Sequence, residues 1–115
     1  MVSTAEQHDQ FPAVCLAVCS VPAGSRGGEI AQHLLEERLA ACVHLLPAGK
    51  SFFFWKGEME QAEEMLMVIK TSDALYPVLE HRLQALHPYD LPEILRLPVE
   101  GGLAGYLSWV LEQLA

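Results

Sequence analysis

The apolar residues of this chain change period repeatedly, from the continuous or alternating pattern of strands to the three-to-four spacing of helices and back. No other feature limits the fold so severely. Residues 13–21 are short, apolar and β-branched, which predicts a buried strand. Pro22-Ala23-Gly24-Ser25 breaks it, and Gly27-Gly28 extends the loop. A helix follows from about Glu29, with Ile30, Leu34, Leu35 and Leu39 at helical spacing and Glu29, Gln32, Glu36 and Glu37 mostly elsewhere. A second apolar run, residues 42–46, is interrupted by Pro47 and Gly49. Residues 50–55 resume as strand. Ser51, Phe53 and Trp55 share one face and Phe52 and Phe54 the other, so both faces are apolar and both should be covered. Gly57 opens an acidic turn holding Glu58, Glu60, Glu63 and Glu64, and residues 65–71 form the next strand, paired as a hairpin with 52–55. Ser72 or Asp73 caps a second helix, whose stripe is Leu75, Val78, Leu79, Leu83 and Leu86. Pro77 falls in its first turns, where a missing amide costs least. His87-Pro88 ends it. Residues 89–92 are a turn, 93–97 a short strand, Gly101-Gly102 a break, and 103–114 a final helix carrying Tyr106, Leu107, Val110 and Leu111.

The order β-α-β-β-α-β-α describes two βαβ units joined by a hairpin. This is the split βαβ, or ferredoxin-like, α+β sandwich with an extra C-terminal helix. Its helices would lie on one sheet face, and the other face would be bare in a monomer, yet the sequence does not make that face polar. With 115 residues there is room for one domain. Residues 1–10 read as a flexible polar tail and 11–115 as the domain. Hydrophobic residues are 51% of the chain, which excludes intrinsic disorder and exceeds what a small monomer conceals. Fifteen acidic residues against seven Lys and Arg give −8, which disfavours nucleic acid and anionic membrane surfaces and favours cations as partners. No apolar run approaches the ~20 residues of a membrane helix. Residues 1–11 lack both the basic and the apolar part of a signal peptide, so a cytoplasmic protein with reduced thiols is expected.

Cys15 and Cys19 share a strand face, but their Cα atoms lie ~13 Å apart along a straight strand. Thiolates on one ion lie within ~4.6 Å of each other, and a disulfide needs Cα atoms within ~7 Å, so these two neither chelate together nor bond. They are buried free cysteines, or ligands completed by other strands or another chain. Cys42 and His44 stand two apart on a strand, ~6.6 Å along one face. That spacing is within reach of a copper or zinc site if the side chains converge, but by itself it favours a partly buried strand histidine. His87-Pro88-Tyr89-Asp90-Leu91-Pro92-Glu93 holds an imidazole, a phenol and two carboxylates between two prolines, either as a binding loop or as a rigid connector. His8, His33 and His81 receive no role. There is no Gly-x-Ser-x-Gly, Gly-x-Gly-x-x-Gly or P-loop, so neither an enzyme nor an organic cofactor is expected.

Four segments in register, Glu36-Glu37-Arg38-Leu39-Ala40-Ala41-Cys42-Val43, Trp55-Lys56-Gly57-Glu58, Lys70-Thr71 and His87-Pro88-Tyr89-Asp90-Leu91-Pro92-Glu93-Ile94, closely resemble the CutA divalent-cation tolerance family. The order and spacing match over about residues 13–111. The resemblance implies a ferredoxin-like subunit, a PII-like homotrimer, tolerance of copper and other divalent metals, and no catalytic reaction. Carried onto matching positions, the groups lining the family's intersubunit clefts are Cys19, Trp55, Glu64, Lys70, His87, Tyr89 and Glu93; Cys42 also matches a family cysteine. The chain departs from the pattern at His44, where Asn is usual, at Phe53, where Tyr is common, at Cys15, an added thiol, and at residues 23–28, which are glycine-rich where the family is acidic.

The resulting expectation is a homotrimer that binds copper or another divalent metal ion in the response to metal ions. Cys19, Cys42, His44 and His87 are its metal ligands, being donors that suit copper or zinc. Trp55, Glu64, Lys70, Tyr89 and Glu93 are its cleft-binding residues. The alternative is a PII-like signalling or scaffold trimer taking a small anionic ligand or protein partner at the clefts. Lys70 discriminates, since an ammonium repels a cation and attracts an anion.

Overall fold

The structure is a computed structural model and describes residues 14–115; the expected tail, 1–10, lies outside the described residues. The elements are β1 (Val14–Pro22), α1 (Arg26–Glu36), β2 (Cys42–Leu45), β3 (Gly49–Trp55), β4 (Glu58–Ser72), α2 (Tyr76–Leu86), β5 (Ile94–Pro98) and α3 (Ala104–Gln113). The sheet runs β2-β4-β1-β5, with β3 paired to β4, and every pairing is antiparallel. The crossover through α1 straddles β4, and the crossover through α2 straddles β1. This topology is the split βαβ arrangement that the element order predicts.

The core forms where β1 and β4 present alternate side chains to α1 and α2. Cys15, Ala17, Cys19 and Val21 from β1 and Met67 and Ile69 from β4 are fully buried against Ile30, Leu34, Leu79 and Leu83. The register explains this layer, because Ala17 faces Ile69 and Cys19 faces Met67 on the same side of the sheet. Val78 departs from the expected stripe. It points outward at 54% exposure, because the helix begins only at Tyr76 and buries Tyr76, Leu79 and Leu83 instead.

Three local expectations are corrected. The glycines 27 and 28 lie within α1 rather than in a loop. A Cβ on Gly27 would come 3.0 Å from Val21 Cγ2 and 3.1 Å from Leu45 Cδ2, so the missing side chain lets the helix sit close on the sheet. Leu39 lies beyond α1, in its C-terminal cap. The Leu39 amide donates to the Leu34 carbonyl at 3.0 Å and the Arg38 amide to Leu35 at 3.1 Å, a Schellman pattern with Arg38 at φ 60. The Glu58 to Glu64 stretch is no turn. Lys56 and Gly57, at φ 51 and 82, form a two-residue hairpin of the primed type. The glutamates then run up β4, with Glu58 opposite Trp55 and Glu64 opposite Gly49.

The second sheet face is also not bare throughout. Helix α3 crosses one end of it, where Val110 is fully buried against Val14 and Ala41, with Leu107 and Leu111 half-buried around them. Beyond α3, Leu95 and Leu97 remain exposed at 55% and 40%.

Candidate functional site

Two groups of side chains gather on the face opposite α1 and α2. The first surrounds an open cleft of about 820 Å³ between the β3–β4 hairpin and the loop that links α2 to β5. Alternation along β3 brings Phe53 and Trp55 to it, and alternation along β4 brings Glu60 and Glu64. The loop adds Tyr89, and the residue before β5 adds Glu93. The Tyr89 hydroxyl donates to Glu64 Oε2 at 2.9 Å, and the Ser20 hydroxyl donates to Glu93 Oε1 at 3.1 Å. Burial, and then the Glu64 carboxylate, push the Tyr89 phenol up to about 12.

His87 fixes the loop from behind. Its Nδ1 accepts from the Tyr89 amide at 3.0 Å, so the ring proton sits on Nε2, which donates to the Ser20 carbonyl at 2.7 Å. The two prolines and this buried ring together place Tyr89, whose own ring packs 4.8 Å from the imidazole. Cys19 lies beneath, fully buried on the helix side of the sheet. Burial, with the Glu93 and Glu64 charges adding to it, pushes its thiol up to about 12.

The second group is at β2. Cys42 and Lys70 are directly opposed across β2 and β4, and the Lys70 ammonium donates to Cys42 Sγ at 3.7 Å. Lys70 also lies 5.6 Å from the Tyr106 ring centroid, and Tyr106 raises its pKa against the opposing effect of burial. His44 shares the Cys42 face, two residues on, and is exposed.

Of the residues anticipated from sequence, the structure brings Trp55, Glu64, Tyr89 and Glu93 to one cleft and Cys42 and His44 to one strand face. Lys70 joins Cys42 rather than the cleft. Cys19 is on the opposite side of the sheet from Cys42, and both ring nitrogens of His87 are taken by backbone groups. Among the described residues no three His, Cys, Asp or Glu side chains within one chain converge as a metal site. Sequence reasoning passed over Ser20, Glu60 and Tyr106. Alternation places Ser20 on the face opposite Cys19 and Glu60 on the face of Glu64, but only once Cys19 is known to be buried and the acidic stretch to be strand. Tyr106 was not reachable, because only packing carries α3 to β4.

Fold and site define a class: an α+β protein with, among the described residues, a five-stranded antiparallel sheet, three helices and an open acidic and aromatic cleft. Residues 15–113 match the family model described as CutA1 divalent ion tolerance protein, and the chain belongs to that family. It is 41% identical over 97 residues to the divalent-cation tolerance protein CutA of Thermus thermophilus, covering 84% of this chain and 94% of that one. It is 43% identical over 97 residues to the protein CutA of Mus musculus, covering 84% of this chain and 55% of the mouse protein. Among solved structures, the Thermus thermophilus protein superposes with a TM-score of 0.86 at 39% identity, covering 89% of this chain and 99% of that chain. CutA1 from Oryza sativa superposes with a TM-score of 0.88 at 32% identity, covering 91% and 97%. A further neighbour, from Archaeoglobus fulgidus, is described as a periplasmic divalent cation tolerance protein. The family's names denote tolerance of divalent cations rather than a reaction. Among the described residues no helix is long and apolar enough to cross a membrane.

Proposed function

We propose that this protein is a homotrimeric divalent-cation tolerance protein that binds copper or another divalent metal ion and takes part in the response to metal ions. The observation that carries this reading is the pairing of Cys42 and His44 on one partly open strand face of a chain that belongs to the CutA1 family. A thiol and an imidazole are donors for soft and borderline metals such as copper and zinc. They supply two donors, so the remaining ligands come from another subunit. The exposed apolar side chains Phe52, Phe54, Leu95 and Leu97 support such an assembly, since a symmetric PII-like trimer would cover them. Lys70 competes for Cys42, and an incoming ion displaces its ammonium. The proposed role is binding without a catalytic step, residues 11–115 are the proposed folding unit, and the three free cysteines favour a reducing cytoplasm.

The test is anaerobic calorimetric titration of the reduced protein with zinc and with copper(I), alongside sedimentation velocity. A three-chain species with saturable binding tighter than about 10 µM, weakened at least about tenfold by Cys42→Ala or His44→Ala, is expected for a thiolate–imidazole site. A monomer, or affinity indifferent to both substitutions, would overturn the reading.

A further inference from the structure

We propose that the cleft between the β3–β4 hairpin and the loop before β5 binds an organic cation: a quaternary ammonium carried on an apolar body. This goes beyond the metal reading and uses neither Cys42 nor His44. Three aromatic rings face the cleft, Phe53, Trp55 and Tyr89, and all three are exposed. Four carboxylates stand among them, Glu60, Glu64, Asp90 and Glu93, and among the described residues no Lys, Arg or His lines the cleft with them. The hydrogen-bond donors to Glu64 and Glu93 are the uncharged hydroxyls of Tyr89 and Ser20, so neither carboxylate is neutralised by an ion pair within the lining. Burial raises the Tyr89 phenol first, and the Glu64 carboxylate adds to it.

The arrangement selects among cations. The carboxylates are spread out, and among the described residues no three converge on a point that one metal ion could occupy. A hydrated inorganic ion also gives up its water reluctantly, and ring faces do not repay that loss. A quaternary ammonium, whose charge is shielded by alkyl groups, sheds little water, buries its apolar body against the rings and places its charge where ring faces and carboxylates both attract it. The volume, about 820 Å³, lies within the range of small-molecule sites, ~300–1,000 Å³. The chain already shows the contact in miniature: its own Lys56 ammonium lies 6.0 Å from the Trp55 ring centroid at the outer end of the hairpin. The same charge balance disfavours an anionic ligand.

The experiment is calorimetric titration of the intact protein, in its solution assembly, with choline and with dimethylbutanol, in which a quaternary carbon replaces the nitrogen. Choline is expected to bind saturably and the alcohol at least about tenfold more weakly, since only the charge differs. Trp55→Leu, Glu93→Gln and Asp90→Asn should each weaken choline about threefold or more, while Trp55→Phe retains most of the affinity because a ring face remains. Asp90 is exposed on the loop, so its variant tests the charge without disturbing packing. Cys42→Ala should leave choline binding unchanged, so failure here and failure of the metal reading are separable. No saturable choline binding up to about 10 mM, equal affinity for the alcohol, or full displacement of choline by equimolar zinc would overturn the proposal.

Discussion

At the scale of single residues, the chemistry is decided by what each side chain is held against. His87 carries two ring nitrogens that a sequence reading treats as free donors, yet an amide and a carbonyl hold both. Cys19 is sealed under the sheet, whereas Cys42 keeps a partly open sulfur with an ammonium beside it. If that ammonium opposes an incoming cation, Lys70→Met should tighten zinc binding about tenfold or more, since like charges a few ångströms apart at a protein surface cost on the order of kcal/mol. Calorimetry on the two proteins measures this directly, and unchanged affinity would remove Cys42 from the proposed site. Gly27 shows the same logic in the core. Gly27→Val should destabilise the fold by about 1–3 kcal/mol in urea unfolding, because the new side chain meets Val21 and Leu45 where a Cβ alone already approaches 3.0 Å.

At the scale of elements, the strands and helices were largely legible and their junctions were not. The β-branched run of β1 and the leucine spacing of α1 and α2 each encode their own period, so they could be read locally. The Glu58 to Glu64 stretch was misread because acidic residues have low strand propensity. Its conformation is imposed by β3, which is apolar on both faces and pairs with it residue for residue. The hairpin depends on a turn in which Lys56 and Gly57 both have positive φ. Gly57→Val should therefore cost about 1–2 kcal/mol, read as a lower urea midpoint. At the end of α1 the converse applies. Arg38 occupies a left-handed position that favours glycine, and Arg38→Gly should stabilise the protein by about 0.5–1 kcal/mol, less whatever its hydrogen bond to the Gln113 carbonyl contributes.

At the scale of the whole molecule, the 57 × 30 × 23 Å shape follows from a hairpin that extends past the core. Phe54 on that hairpin is 72% exposed, and Phe54→Asp should convert the proposed trimer to monomer or aggregate in sedimentation. The buried acids set the alkaline limit. The Cys19 thiol is pushed up to about 12 from an ordinary 9.0, with Cys15 near 11 in the same core. The folded state therefore keeps protons that the unfolded chain releases. This contribution is complete below pH 9 and declines as pH rises toward 12, so urea midpoints should fall steadily across that window. Cys19→Ser should lessen the dependence; a flat profile in the native protein would contradict the burial of both thiols.

The sequence by itself determined the order of elements, the split βαβ topology and the apolar surplus that a monomer leaves exposed, because these follow from periodicity and composition within short segments. Tertiary structure alone decided which of the anticipated site residues share a cavity. Trp55, Glu64 and the Tyr89–Glu93 pair lie on three separate segments, and only strand register and the His87-braced loop bring them together. Lys70, expected in the cleft with them, is turned to Cys42 and Tyr106 by its position opposite β2. Local sequence specifies the face on which a side chain lies; its neighbours on that face depend on pairings between residues far apart in the chain.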